Sequence, residues 1–215
     1  MNRMRAARTA TAVAAAVLLP LVLVGCSDSG SDTKAASTPA SEEAAEADKA
    51  PANDAMTPGQ PFGPACAGVP KEGAGSFDGM AKDPVATAAS NNPALSTLVA
   101  AVKQAGLVDT LNNARGITVF APTNDAFAKI PKADLDKVLA DKKLLTDILT
   151  YHVVGRNLAP EQLANGSFET LQKGAVTTSG SGESYRVNDS ASVVCGNVGT
   201  SNATVYIVDT VLMPQ

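Results

Sequence analysis

Ile117-Thr118-Val119-Phe120-Ala121-Pro122-Thr123-Asn124-Asp125-Ala126-Phe127 changes character at its proline, and that change decides the fold class. The first half is a β-branched apolar run closed by Pro122, which predicts a strand. The second half opens on Thr123 and Asn124, either of which can cap a short helix through Phe127 that Pro131 ends. Upstream, Leu95, Leu98, Val99 and Val102 recur at helical spacing. Asn91-Asn92-Pro93 before them and Gly106 after them mark the start and stop of an amphipathic helix, and Leu107, Val108 and Leu111 continue as a short second turn. Downstream, Leu135, Val138 and Leu139, then Leu144, Leu145, Ile148 and Leu149, give two more apolar helical faces. From Phe168 onward the short runs 175–179, 184–187, 192–195 and 205–208 are separated by Gly, Ser and Asn, as in antiparallel strands joined by tight turns. Helices first and strands after predict an α+β domain, with helices of the first half packed on an antiparallel β-sandwich or half-barrel core.

The other end of the chain reads as an address. Arg3, Arg5 and Arg8 precede an apolar run from Ala12 to Val24, the charged and apolar regions of an export signal. That run of 13 residues holds Pro20 and falls short of the roughly 20 apolar residues that cross a bilayer. Leu23-Val24-Gly25-Cys26 resembles the lipobox of bacterial lipoproteins, which implies a signal peptide at 1–25 and a mature N-terminus at Cys26 carrying a diacylglyceryl thioether, with or without an N-acyl chain. The competing reading is ordinary cleavage nearby that leaves a free thiol. Two or more acyl chains hold stably where one holds marginally. Losing three arginines and no acid takes the net charge from −4 to −7, and in 27–65 seven acids face only Lys34 and Lys49. A nucleic-acid partner calls for clustered Lys and Arg and is excluded on that balance. The segment 26–65 is Ala, Ser, Pro and acid with almost no large apolar residue, a disordered tether able to carry O-linked sugar.

The remainder, 66–215, has the length of one domain with a single core. Without Trp, that core rests on Leu, Val, Ile and Ala, with Phe77, Phe120, Phe127 and Phe168 as its large members. Cys66 and Cys195 lie at its two ends, outside the cytoplasm, where disulfides persist. Pairing them closes a loop of roughly 130 residues, worth about 4–5 kcal/mol in the chain-entropy description. The alternatives are two free thiols or a metal pair; zinc takes four ligands, and His152 is the one histidine left to help.

Three blocks carry a family resemblance. The 118–127 stretch resembles the first signature block of the fasciclin domain, Tyr151-His152 its central Tyr-His pair, and Val205-Tyr206-Ile207-Val208-Asp209-Thr210-Val211-Leu212-Met213-Pro214 its second block. Order and spacing agree across the domain, and the paired cysteines look most like secreted and lipidated fasciclin-type surface antigens of mycobacteria and related actinobacteria. One departure is Ala203-Thr204, where many members have Asn-Gly. The resemblance implies adhesion. In animal members the Tyr-His region and an Asp-Ile pair are implicated in integrin binding, and Asp147-Ile148 stands just before Tyr151-His152 here, although Ile148 falls on an apolar helical face and no Arg-Gly-Asp occurs.

The residues themselves favour structure over chemistry. Val119, Ile207 and Val211 read as apolar positions on adjacent strands, and Thr123, Asn124 and Asp125 as short polar groups for loop amides and a helix N-terminus. His152, the only histidine, is the obvious catalytic candidate. Its competing reading is a buried, tautomer-fixed imidazole bonded to loop backbone or Asp125, joining the two blocks, with Tyr151 similar and Asp209 a turn acceptor. Asn165, Asn188 and Asn202 stand in sequons that mark turns. Gly-x-Ser-x-Gly, His-Glu-x-x-His, Cys-x-x-Cys and phosphate-loop patterns are all missing. The expectation is therefore no enzyme, no cofactor, no metal and no catalytic residue. The chain reads as a monomeric surface lipoprotein on the outer face of a bacterial membrane, with a released fraction, binding a wall, matrix or host protein or glycan. The alternative is a membrane-tethered carrier with an apolar cleft for a small ligand or lipid near Tyr151.

Overall fold

The computed structural model describes residues 59–214; the leader at 1–25, Cys26 and all but the last residues of the tether lie outside them. At its centre, β1 (Ile117–Pro122) and β7 (Ala203–Val208) run parallel, paired from Ile117 with Ala203 to Pro122 with Val208. Every residue of both strands is buried, which is why they read as continuous apolar runs. Alternation along β1 sends Ile117, Val119 and Ala121 to one apolar cluster and Phe120 to another. The polar exception, Thr118, is satisfied in place: its hydroxyl donates to the Arg156 carbonyl at 2.8 Å and accepts from the Leu158 N–H at 2.9 Å.

Five further strands extend this pair: β2 (Val153–Val154), β3 (Asn165–Glu169), β4 (Ala175–Ser181), β5 (Ser184–Val187) and β6 (Ala191–Gly199). The order is β2-β1-β7-β6-β5-β4-β3, and all neighbours except β1 and β7 are antiparallel. The outer strands nearly meet, because Val154 bridges Thr170 and the Leu171 N–H donates to the Val153 carbonyl at 2.8 Å. The sheet is thus almost closed into a half-barrel, filled by Phe120, Tyr151, Phe168, Val176, Tyr185 and Tyr206 among others. Tyr206 sends its hydroxyl to the Leu158 carbonyl at 2.8 Å, and burial raises its ionisation well above the usual phenol range.

Helices pack on the cluster that holds Ile117, Val119 and Ala121: α1 (Phe77–Met80), α2 (Val85–Ser90), α3 (Ser96–Ala105), α4 (Val108–Asn113), α5 (Asn124–Ala128), α6 (Lys132–Ala140) and α7 (Lys142–Tyr151). From α3 come Leu98, Ala101, Val102 and Ala105, and from α7 Leu145, Ile148 and Leu149, against Val119, Val205 and Ile207 of the sheet. Each large apolar side chain fully buried here contributes about 1.5–3 kcal/mol. Gly106 ends α3 at φ 76, a left-handed conformation that favours glycine.

The α+β class, the half-barrel and the helices from 96 to 151 follow the sequence pattern, and several particulars depart from it. The sheet is mixed, because its first and last strands meet side by side and in parallel. Val211 lies past the end of β7, buried in an irregular segment. Leu144 is 41 % exposed: adjacent helical residues point about 100° apart, and Leu145 takes the core. Phe62 belongs to the domain although the sequence places it in the tether. It exchanges backbone hydrogen bonds with Gly196 at 3.1 and 2.8 Å and stacks edge-on to Tyr185 at 5.5 Å. A side chain at Gly196 would collide with the Phe62 ring.

Cys66 and Cys195 form a disulfide with Cα atoms 5.0 Å apart. Cys66 sits in a 3-10 turn (Pro64–Gly68) and Cys195 on β6. Residues two apart on a strand normally share a face, yet Val193 lies in the barrel and Cys195 on the helical side. A register shift between them in β6 turns the cysteine over.

Candidate functional site

Asp141 starts α7 by accepting the N–H groups of Lys143 and Leu144 at 2.9 and 3.1 Å. The helix ends on the two residues singled out by the sequence. Tyr151 turns into the half-barrel, where its hydroxyl donates to the Ala175 carbonyl at 2.8 Å and accepts from Asn188 Nδ2 at 2.9 Å. Asn188 in turn holds a left-handed turn, φ 50, and its Oδ1 accepts the Thr177 N–H at 2.9 Å.

His152 is 2 % exposed. Its Nε2 accepts the Leu212 N–H at 2.9 Å, and its Nδ1 lies 2.8 Å from the Ile148 carbonyl. An amide N–H only donates and a carbonyl only accepts, so the proton must sit on Nδ1. Meanwhile the His152 carbonyl accepts the Phe120 N–H at 2.9 Å. One residue thereby ties α7 to β1 through its backbone and to the segment after β7 through its ring. Burial depresses its pKa to about 4, against a smaller opposing pull from the Ile148 carbonyl. At neutral pH the ring is uncharged and both nitrogens are committed, leaving neither free to take a proton from a nucleophile. Asp125, the sequence-based candidate partner, makes none of these bonds.

The neighbouring polar residues are joints too. Thr123 caps α5 by accepting the Ala126 N–H at 3.2 Å, and its own N–H donates to the Val208 carbonyl at 3.1 Å. Asn124 reaches α3, its Oδ1 accepting the Thr97 N–H at 2.9 Å and its Nδ2 donating to the Pro93 carbonyl at 2.9 Å. Asp125 stands in the first turn of α5. Asp147 and Ile148 part company: Asp147 is half-buried and paired with Lys143 at 3.0 Å, whereas Ile148 is buried in the core. Asp209 accepts the Ser192 N–H at 2.8 Å and pairs with Lys129 at 3.2 Å. Partial burial opposes its ionisation, but Ser192, Lys129 and Thr210 together hold its carboxyl below the usual range.

One joint escapes sequence reading except as a sequon. Asn202 Nδ2 donates to the carbonyls of Leu111 at 2.8 Å and Ala114 at 2.7 Å, while its Oδ1 accepts the Val85 N–H at 2.8 Å. The Ala203-Thr204 departure leaves the turn intact, since Thr200 closes it through its hydroxyl and N–H on the Ala203 carbonyl, both at 2.9 Å. Among the described residues no group of three or more His, Cys, Asp or Glu stands close enough to hold a metal ion.

Comparison with known proteins gives concordant results. The family model of the Fasciclin domain matches residues 93–214. Cell surface glycolipoprotein MPB83 of Mycobacterium bovis is 44 % identical over 221 residues, covering 97 % of this chain and 96 % of that protein. Immunogenic protein MPT70 of Mycobacterium tuberculosis is 49 % identical over 164 residues, 73 % of this chain and 83 % of that one. Among solved structures, the FAS1 domain pair of the insect cell adhesion molecule fasciclin I superposes with a TM-score of 0.52 at 18 % identity, covering 63 % of this chain and 52 % of that chain. The last likeness is one of fold, and this chain spans about half of that domain pair.

Proposed function

This chain belongs to the fasciclin domain family, and from that premise we propose that it is a surface lipoprotein held on the outer face of the bacterial membrane by an acylated Cys26. Its folded domain attaches, without catalysis and as a monomer, to a cell-wall, matrix or host component, protein or glycan, from the end of the 26–65 tether. A fraction released from the membrane carries the same domain.

The carrying observation is the extent of the match to a cell surface glycolipoprotein: with 97 % of this chain covered, it runs through Cys26 and the acidic segment beyond. The geometry around Tyr151 and His152 supports the absence of chemistry, because both side chains are buried and their polar atoms are spent on backbone groups and Asn188. A partner cannot touch Ile148, Tyr151 or His152 without unfolding the domain, so attachment uses exposed residues and the Tyr-His pair shapes the surface from beneath.

The test is the mature N-terminal mass of the wild type and of Cys26→Ser, with protease shaving of intact cells. The expected result is an acylated N-terminus at Cys26, loss of the folded domain from intact cells on shaving, and an unacylated Cys26→Ser chain in the medium. An unacylated wild type, or a chain that shaving leaves untouched, overturns the reading.

A further inference from the structure

The apolar cleft expected near Tyr151 gives way to a packed half-barrel in which that side chain is buried. Open space lies elsewhere, and it is polar. A groove of about 610 Å³ runs where β1 and β7 begin and β6 ends, between the 113–116 loop, the 199–203 turn and Asn157. Sites for small ligands commonly measure about 300–1,000 Å³.

The walls of the groove are tied together. Asn202 joins them through the carbonyls of Leu111 and Ala114 and the Val85 N–H. The Gly116 N–H donates to the Asn202 carbonyl at 2.9 Å, and the Ser201 N–H to the Asp83 carbonyl at 3.0 Å. A groove held in this way pays little ordering cost when it is filled. Two glycines keep it open: a Cβ added at Gly116 or Gly199 would meet nothing within 4 Å.

The chemistry on offer is narrow. No large apolar residue lines the groove, so the apolar side chains of a peptide find no pocket in it. Asn113, Asn157 and Ser201 are exposed there, and amides and hydroxyls both donate and accept, as the hydroxyls of a sugar do. Arg115 is the one charged residue on the lining. Acids outnumber bases in this chain, yet among the described residues Arg115 forms no ion pair, whereas Lys129, Lys137, Lys143 and Lys173 each have a carboxylate. Exposed and unheld, its long side chain is free to swing across the groove. A guanidinium matches one carboxylate through two parallel N–H bonds.

We propose that this groove binds an acidic sugar, a glycan residue whose single carboxylate pairs with Arg115 and whose hydroxyls bond to Asn113, Asn157 and Ser201. The proposal rests on the attachment reading above and narrows its partner to a uronate-type glycan.

The experiment titrates the full chain carrying Cys26→Ser with D-glucuronate, D-glucose, acetate and inorganic phosphate, following by NMR the backbone amides of Gly116, Gly199 and Ser201 and the side-chain amides of Asn113 and Asn157. The expected result is saturable shifts of these signals with glucuronate, with glucose, acetate and phosphate each at least fivefold weaker. Arg115→Gln is expected to weaken glucuronate about five- to tenfold and to leave glucose as it was. Gly199→Phe, which has room for its side chain only in the groove, is expected to abolish glucuronate binding while the rest of the spectrum stays that of the folded domain. Glucuronate that shifts nothing, binds Arg115→Gln as well as the wild type, or is matched by acetate or phosphate overturns the assignment. Retention of the chain on a wall, matrix or host component that Gly199→Phe leaves unchanged overturns it too, while attachment itself stands.

Discussion

Acid is expected to loosen this domain through one residue, and replacing His152 with glutamine isolates the effect. The folded ring titrates at about 4, and in the unfolded chain at the ordinary 6.5. Between those values the unfolded state binds a proton that the folded state refuses, so stability rises with pH across the window and falls as pH drops through it. The contribution is fully present above pH 6.5 and fully lost near pH 4. At 1.36 kcal/mol per unit the gap amounts to about 3 kcal/mol, with no discount for solvent because the ring is buried. Against a total of about 5–15 kcal/mol for a domain, that is a large share. Asp209 works in the same sense but lower down: its depressed carboxyl stabilises above the unfolded aspartate value, and that contribution is lost as pH falls from there through the folded value. Glutamine can accept the Leu212 N–H through Oε1 and does not titrate. Urea unfolding at pH 7, 6, 5 and 4, with the disulfide intact, is expected to give a falling profile for the wild type. His152→Gln is expected to be less stable at pH 7 but nearly flat between 6.5 and 4. Parallel profiles for the two proteins across that window would refute the buried, neutral assignment.

Removing the disulfide with Cys66→Ser and Cys195→Ser is expected to cost about 4–5 kcal/mol, a fall in Tm of roughly 10–20 °C by thermal unfolding. Asn202→Ala leaves the Val85 N–H and the carbonyls of Leu111 and Ala114 without their partner and is expected to cost about 2–4 kcal/mol in urea unfolding. Asn202→Asp fails to rescue it, since a carboxylate offers no donor to the carbonyls. Tyr151→Phe deletes the hydroxyl between Ala175 and Asn188 and is expected to cost about 1–2 kcal/mol, with the β5–β6 turn exchanging amide hydrogens faster than in the wild type.

Periodicity was informative where one local rule governed. Leu98 and Val102 fall on the buried face of α3, Gly106 ends it, and Thr123 caps α5, because each depends on residues within one turn. Strand partners were not legible: nothing in 117–122 or 203–208 says that these runs lie side by side, since parallel pairing joins segments far apart in the chain. Phe62 escaped because Pro61-Phe62-Gly63-Pro64 has the composition of a linker, and its burial depends on the bare backbone of Gly196 far downstream. At the site, buried Tyr151 and His152 were readable as types, a lone histidine beside a tyrosine at the end of an apolar helix. Their partners were not, for Leu212 and Ala175 contribute only main-chain atoms, which every residue carries. Asn202 was legible as a turn residue, but what its amide nitrogen meets depends on α4 and the residue after it, far upstream in the chain.

Attachment by the folded domain is tested most directly by binding of the soluble Cys26→Ser chain to an array of wall glycans, matrix proteins and host-surface glycans, alongside His152→Gln and Tyr151→Phe at pH 7, where all three are folded. Saturable retention on at least one component, with both variants binding as the wild type does, is the predicted result. A folded wild-type chain retained nowhere, or folded variants that lose binding, would contradict a surface-displayed attachment domain in which the Tyr-His pair is a joint beneath the surface.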